Sequence, residues 1–343
     1  MQMSELLTHL DNLRETHLPQ IRSLLDAVVA EESPEDSSLA KMCTYHMDTG
    51  GKRLRALLPL AVGEALGVEP EKLVPFGAAC EMLHNATLVH DDLQDGDRVR
   101  RGKPTIWVEF GEARAINLGD AMFYWALLIL MRMDCDIERR EALSKRLLSE
   151  SLRVIDGQDR EFLLKDLKTP TIEDYFAMVE GKTSGLFALP VAGAAEFCGA
   201  PAEVVKALEA SAGHLGVLFQ IQDDVLDLYA DKGREHVGTD ICEGKISALV
   251  VHFLANAAAA ERDWLRGVLE AERDAVSHDD IDRAARAFRE VGSLQFALDE
   301  IERRRALACD APIFADYPDL KALLNAMADI FLEPISPLLD ASA

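Results

Sequence analysis

Two short stretches of the sequence, Asp91-Asp92-Leu93-Gln94-Asp95 and Asp223-Asp224-Val225-Leu226-Asp227, place carboxylates at a spacing that suits metal chemistry. Positions four apart lie one turn above each other on a helix, so Asp91 and Asp95 share a face with Asp92 beside them. Like charges at that spacing repel, and without a counter-cation they destabilise an isolated helix by roughly a few tenths of a kcal/mol. The segments just before them, Leu83 to His90 and Leu218 to Gln222, are largely apolar, so each cluster is expected to face a cavity. Gln220 and Asp227 share a face with Asp223. Hard oxygen ligands in small groups, with room left for water and phosphate, suit Mg²⁺. One such cluster in a chain with 60 acidic residues reads equally well as a solvated helix end. Two copies, each behind an apolar helix and with basic segments around them, read as a site.

Basic residues concentrate in Gly50-Gly51-Lys52-Arg53-Leu54-Arg55 and in Arg98-Val99-Arg100-Arg101-Gly102-Lys103-Pro104-Thr105. Glycines followed by cations leave backbone amides and side chains free to close around an anion, and the arginine fork suits phosphate oxygens. Either segment alone is ordinary surface charge. His84 lies seven residues before Asp91, two turns away on the same face, where it could donate to a second phosphate; a core-facing histidine is the plainer alternative. Lys182-Thr183 lacks the upstream glycine spacing of a nucleotide-binding P-loop, which excludes that reading.

The elements that must position these residues are helices. Apolar residues recur at helical spacing, as in Leu6, Leu10 and Leu13 or Val204, Val205, Leu208, Leu215 and Leu218, and no period-two alternation is sustained. The chain is expected to be all-α, with breaks at 31–38, 48–51, 67–70, 98–104, 168–170 and 199–201. Thr171-x-x-Asp174 and Ser277-x-x-Asp280 resemble N-caps, and Pro201 suits a first turn. No connector separates two domains, so one large helical domain over 1–343 is expected, with short C-terminal helices from about 312 where Pro312, Pro318, Pro334 and Pro337 accumulate.

Lys plus Arg total 36 against 60 for Asp plus Glu, a formal charge of -24, which argues against nucleic acid or an anionic membrane as partner. So acidic a protein must supply cations locally to bind an anion. The six cysteines are scattered, with no C-x-x-C pair, and suggest neither zinc nor a disulfide framework. The N-terminal stretch lacks the basic start and apolar run of a signal peptide, and Ala121 to Met131, too short to span a bilayer, reads as a buried helix. A cytoplasmic protein without membrane insertion is expected.

With these residues in view, the sequence closely resembles the trans-isoprenyl diphosphate synthase family, also called polyprenyl synthetases, over roughly residues 40–250. The ordered landmarks are GGKRLR at 50–55, LVHDDLQDGDRVRRGKPT at 88–105, Gly157-Gln158, Lys182-Thr183, FQIQDDVLD at 219–227 and GTDICEGK at 238–245. The resemblance implies helices around a deep central cavity, a homodimer, and two aspartate clusters facing each other across the cavity mouth. It implies that Asp91, Asp95 and Asp223 hold Mg²⁺, about three ions with substrate bound, on an allylic diphosphate. Asp92, Asp224 and Asp227 stand close by in a catalytic set that includes Lys182. Arg100, Lys182, Thr183, Gln220 and Lys245 bind that diphosphate, while Lys52, Arg55, His84 and Arg101 bind isopentenyl diphosphate. The implied chemistry is departure of pyrophosphate, attack of the isopentenyl double bond on the allylic cation, and loss of a proton to the pyrophosphate, within apolar walls that exclude water. Two departures stand out. Arg234 and Lys232 are the two candidates for the lysine usual before the Gly-x-Asp of 238–240, and Ser247 occupies a position where threonine is common.

In this family bulky aromatics four or five residues before the first cluster stop the product at farnesyl length, whereas here Thr87 and Ala86 stand there. Small residues leave the cavity open for roughly another helical turn, about 5.4 Å, close to one isoprene unit. Deeper floors are sought in Met82 and Leu83, or in Phe123, Tyr124 and Trp125, each of which reads also as plain core. Geranylgeranyl diphosphate is the expected product, with farnesyl or a longer polyprenyl diphosphate as alternatives. A terpene cyclase would lack the second aspartate cluster and have no use for Lys52, Arg55 and Arg101, and a non-catalytic partner subunit would have lost aspartates or basic loops.

Overall fold

The computed structural model describes residues 3–229 and 237–342. It is all-α apart from one small hairpin, and the chain divides into two compact units: 1–152 with 186–209 and 315–323, and 153–185 with 210–314 and 324–343.

The first unit opens with α1 (Met3–Glu31), α2 (Ser38–Met47), α3 (Leu54–Ala65) and α4 (Val74–Gln94). The Ser37 side chain caps α2, accepting from the Ala40 amide at 3.4 Å, and Pro75 sits at the start of α4, where its missing N–H has no cost. The expected break at 98–104 is a tight antiparallel hairpin, β1 (Val99–Arg100) paired with β2 (Lys103–Pro104). After it come α5 (Ile106–Phe110) and α6 (Glu112–Met131). The principal packing of this unit is α4 along α6, with α3 and α1 also against α4. Phe76, Met82, Leu83, Ala86 and Val89 of α4 are buried, as are Leu118, Met122, Trp125, Ala126 and Ile129 of α6. Each large apolar side chain so enclosed contributes about 1.5–3 kcal/mol.

The segment Ala121 to Met131 departs from the expected buried helix. It belongs to α6, whose far side exposes Ile116, Tyr124 and Met131, with Tyr124 at 70%. An evenly apolar run carries no polar stripe to mark its outer face, so its sequence cannot tell one covered face from two. By length and composition α6 and residues 318–339 could cross a membrane, a test that core helices also pass.

Next in order are α7 (Ile137–Asp166), α8 (Ile172–Lys182), α9 (Gly185–Phe197) and α10 (Ala202–Tyr229), then α11 (Thr239–Cys242), α12 (Ala248–Asn256), α13 (Ala259–Leu269), α14 (His278–Glu290) and α15 (Ser293–Cys309). Two expected starts are reciprocal capping boxes: Thr171 with Asp174 on α8, and Ser277 with Asp280 on α14. Ser247, the residue that departs from the more usual threonine, caps α12 by accepting from the Val250 amide at 3.3 Å, a task either hydroxyl performs. In the second unit α12 packs on α15 and α8. The tail prolines mark element starts: Pro312 opens a short 3-10 turn and Pro318 opens α16 (Pro318–Leu332), a helix of 15 residues, before α17 (Ser336–Ser342).

Candidate active site

In the first unit the Asp91-Asp92-x-x-Asp95 cluster occupies the C-terminal end of α4. The helix stops at Gln94, and Asp95 is its cap, donating its amide to the Asp91 carbonyl at 2.8 Å. A helix C-terminus carries the negative end of the macrodipole, so three carboxylates there repel the helix as well as one another. The cation that offsets this for Asp92 comes from the hairpin: Arg100 Nε donates to Asp92 Oδ1 at 2.7 Å and Nη2 lies 2.5 Å from the same oxygen. Asp92 is 1% exposed, and burial pushes its carboxyl up to about 6 against the pull of Arg100. Its Oδ2 has no hydrogen-bond partner among the described residues. Asp91 and Asp95 are half-buried.

The two basic loops meet in this unit. The Arg101 guanidinium donates to the Gly50 carbonyl, and Lys103 Nζ donates to the Asp48 carbonyl at 3.1 Å. The Arg101 guanidinium lies against Gly51, where a β-carbon would make that flexible side chain shift, and the φ of +119° is what calls for glycine there. Tyr45 fastens the hairpin from α2, donating to the Pro104 carbonyl at 3.0 Å. Arg55 stacks over the Phe187 ring at 4.6 Å, and burial lowers its guanidinium to about 10. His84 is half-buried; burial first, then Arg55, Arg100 and Arg101, lowers it well below the ordinary imidazole range. Its Nδ1 and the Nε of Arg55 are enclosed without a partner among the described residues. Lys52 is exposed, and its carbonyl accepts from Arg14 at 2.9 Å.

Sequence reasoning missed several residues here. His46, on α2 just before the glycines, is 2% exposed with Nε2 unpartnered among the described residues, and is lowered to about 3 by burial and by Arg100, Arg53 and Arg101. Glu81 and Asn85 lie under Arg53. A lone Glu81 in an apolar run was the available signal.

The second unit assembles another constellation. Thr183 donates to Gln220 Oε1 at 3.0 Å, and Gln220 Nε2 donates to Asp224 Oδ1 at 3.1 Å. Asp224 also accepts from the buried Tyr175 hydroxyl at 2.8 Å and from the Ala248 amide at 3.0 Å. Burial, then the charge of Asp240, pushes it up to about 7 despite these donors. Asp227, 3% exposed, accepts from Thr239 Oγ1 at 2.7 Å and from the Asp240 amide at 3.1 Å, and its carbonyl accepts from Gly238 at 2.8 Å. Asp227 therefore folds the 238–240 turn, and Asp223, half-buried, is the aspartate this cluster presents. Lys182 Nζ lies 2.5 Å from Glu161, another residue the sequence did not single out. Gly157 lets α7 approach Gly181 and Lys182 so closely that a side chain there would strike their backbone. Lys245 pairs with Glu243 at 2.8 Å and with Asp240 at 3.6 Å. Arg234 and Lys232 lie outside the described residues.

Of the residues considered for product length, Leu83 and Ala86 are fully buried and Trp125 nearly so, while Thr87 and Phe123 are partly open. Thr87 donates back to the His84 carbonyl at 2.8 Å, and Phe123 packs on His90, with ring centres 5.9 Å apart.

Asp91, Asp95 and Asp223 offer the oxygen donors that Mg²⁺ prefers. Among the described residues no group of three or more His, Cys, Asp or Glu side chains is arranged to hold a metal.

The sequence pattern of the family described as Polyprenyl synthetase matches residues 36–288. The chain is 31% identical over 334 residues to the geranylgeranyl diphosphate synthase of Methanosarcina mazei, covering 95% of this chain and 98% of that one. It is likewise 31% identical over 320 residues to the (2E,6E)-farnesyl diphosphate synthase of Mycobacterium bovis, covering 89% and 86%. The crystal structure of a polyprenyl synthetase from Streptomyces coelicolor A3(2) superposes with a TM-score of 0.84 at 30% identity, over 94% of this chain and 99% of that one. The all-α expectation and the family resemblance both hold, and the chain belongs to the polyprenyl synthetase family, the prenyltransferases of the isoprenyl diphosphate synthase class.

Proposed function

We propose that the chain condenses isopentenyl diphosphate head-to-tail with an allylic diphosphate in a Mg²⁺-dependent reaction whose product is geranylgeranyl diphosphate. The observation that supports this reading is the docking of the two basic loops on each other, with Arg101 against Gly50 and His84 within the charge of Arg55, Arg100 and Arg101. Bound to Asp91 and Asp95 and to Asp223, Mg²⁺ would neutralise a diphosphate and make pyrophosphate a better leaving group. Arg100, Lys182, Thr183, Gln220 and Lys245 orient the allylic diphosphate and share the charge that develops on the leaving oxygen. Lys52, Arg55, His84 and Arg101 hold the isopentenyl diphosphate with its double bond toward the allylic carbon, and no protein nucleophile is needed. Apolar walls keep water from the cation.

Ala86 and Thr87 support the geranylgeranyl length, since neither fills the space an aromatic would occupy. The assay is incubation of the purified protein with Mg²⁺, isopentenyl diphosphate and dimethylallyl, geranyl or farnesyl diphosphate in turn, with products separated by chain length. Failure of every primer to elongate overturns the activity, and a product other than geranylgeranyl diphosphate overturns the length. Phe123→Ala and Trp125→Ala should each shift products toward longer chains if those rings form the floor.

The chain works as a homodimer in the cytoplasm. Exposed Ile116, Tyr124 and Met131 on α6, and Leu148, Leu152 and Ile155 at i, i+4 and i+7 on α7, support the dimer as apolar stripes suited to an isologous contact. Six free cysteines support a reducing compartment. Sedimentation of the parent and of Leu152→Glu tests the assembly: a parent that sediments as a monomer overturns it.

A further inference from the structure

Among the described residues, two that are not glycine adopt a left-handed backbone, Arg53 at φ +53° and Arg101 at φ +51°, and each lies in one of the two basic loops. A residue with a β-carbon is disfavoured there and persists only where its surroundings over-determine it. For Arg101 the surroundings are the Gly50 carbonyl and the bare face of Gly51. For Arg53 they are a buried polar cluster on α4. Arg53 Nη1 donates to Glu81 Oε1 at 2.8 Å and to Asn85 Oδ1 at 3.5 Å, while Nη2 donates to the Met47 carbonyl. Asn85 Nδ2 donates in turn to the Glu81 carbonyl at 2.8 Å and to Glu81 Oε1 at 3.0 Å, which fixes the carboxylate. Glu81 is 3% exposed, and its Oε2 has no partner among the described residues.

Arg53 stands between Lys52 and Arg55, at the N-cap of α3, so its backbone angles set the direction in which Lys52 leaves the loop relative to the helix that carries Arg55. The charge of Glu81 also reaches Arg55 and Arg101. Glu81 hydrogen-bonds Arg53 directly and acts on Arg55 and Arg101 through its charge. A buried ion pair is a poor source of net stability, so its position under a strained, cation-lined turn points to a placing role.

We propose that Glu81 and Asn85 are positioning residues for the isopentenyl diphosphate pocket, locking Arg53 in its left-handed turn so that Lys52 and Arg55 are aimed at one diphosphate. This rests on the reading of Lys52, Arg55, His84 and Arg101 as that pocket. The test is steady-state kinetics with each substrate varied in turn, together with thermal melts, on Glu81→Gln, on the double variant Arg53→Gly with Glu81→Gln, and on Lys52→Ala. Glycine can reach the left-handed angle but, without a side chain, nothing locks it there, and the double variant buries no lone charge, so it keeps the question open to measurement if Glu81→Gln fails to fold.

The expected result is a KM for isopentenyl diphosphate raised about tenfold in each folded Glu81 variant, with the allylic KM within about twofold of the parent, because misplaced ligands weaken one substrate and not the other. An unchanged isopentenyl diphosphate KM in the double variant overturns the proposal, as does a parallel rise for both substrates that follows the loss of melting temperature. Lys52→Ala separates the two layers. If it raises the isopentenyl diphosphate KM while the Glu81 variants do not, positioning fails and the pocket stands; if it leaves that KM unchanged, the pocket reading itself is overturned.

Discussion

The middle aspartate of each cluster is buried, Asp92 in the first unit and Asp224 in the second, yet the two are held by opposite means. Asp92 is held by a cation, Arg100, which arrives on a hairpin together with Arg101 and Lys103. Asp224 is held by neutral donors on fixed scaffold, the Tyr175 hydroxyl of α8, the Gln220 amide of its own helix and the Ala248 backbone at the start of α12. Asp227 repeats the second pattern with Thr239 and the Asp240 amide. One spelling, D-D-x-x-D, therefore does two jobs. In the first unit it ties Asp92 to a charged side chain on the hairpin; in the second it ties Asp224 and Asp227 to neutral donors from neighbouring segments. Each cluster presents its leading aspartate, and in the first unit Asp95 as well.

The largest expected effect separates the half-buried aspartates from the enclosed ones. Asp91→Asn and Asp223→Asn should each lower the condensation rate by about 10²–10³, the scale of losing one preorganised electrostatic contact to a developing charge. Their melting temperatures should stay near the parent's, because neither residue is enclosed as Asp92 and Asp224 are. Rates and melting curves on the same preparations check this. A rate loss that merely follows a loss of fold would erase the distinction.

Next comes Arg100→Met, which leaves Asp92 enclosed without its counter-charge. Removing one partner of a buried pair costs about 3–5 kcal/mol, since the remaining charge is neither solvated nor paired. Denaturant unfolding should show that loss, and adding Asp92→Leu should return most of it. A cost below about 1 kcal/mol, the range of an exposed pair, would mean that the cation does not hold Asp92 at all.

Much of this was legible in the sequence, and the gaps have physical reasons. Helical periodicity and the caps at Thr171 and Ser277 were readable because both depend on neighbours within one turn. The two clusters and the two basic loops were readable because repeated charge is unusual beside apolar helices. Which aspartates are presented was not readable: Tyr175 is 49 residues from Asp224, and a plain tyrosine in an amphipathic helix carries no mark of its partner. His46 and Glu81 were missed for the same reason, as single polar residues whose role comes from arginines brought to them by folding. The outward face of α6 was hidden by its uniform apolarity.

The enclosure of His46 beside the basic loops also gives a pH dependence. His46 faces Arg100, Arg53, Arg101 and Asn85, and burial is the main reason its imidazole is lowered from 6.5 to about 3. Unfolded, it takes up a proton near 6.5; folded, it stays neutral to about 3. Its stabilising contribution is therefore complete above 6.5 and is lost as pH falls from there toward 3. At pH 5 the loss should be about 2 kcal/mol. His46→Gln should flatten the stability curve between pH 7 and 5 by that amount relative to the parent, and parallel curves would show that the ring is not enclosed among the arginines.

The smallest effect bears hardest on the comparison. Tyr175→Phe removes one of three donors to Asp224 while the ring still fills its fully buried place, so the change isolates a single neutral hydrogen bond. With the Ala248 amide and Gln220 still donating, the carboxyl keeps partners, and the loss should be about 1 kcal/mol, well under that of Arg100→Met. Shared donors predict this shallow response, because no single deletion strands the group. A Tyr175→Phe variant as unstable as Arg100→Met would mean that the hydroxyl alone sustains Asp224, and that the second cluster leans on one contact as heavily as the first leans on its cation.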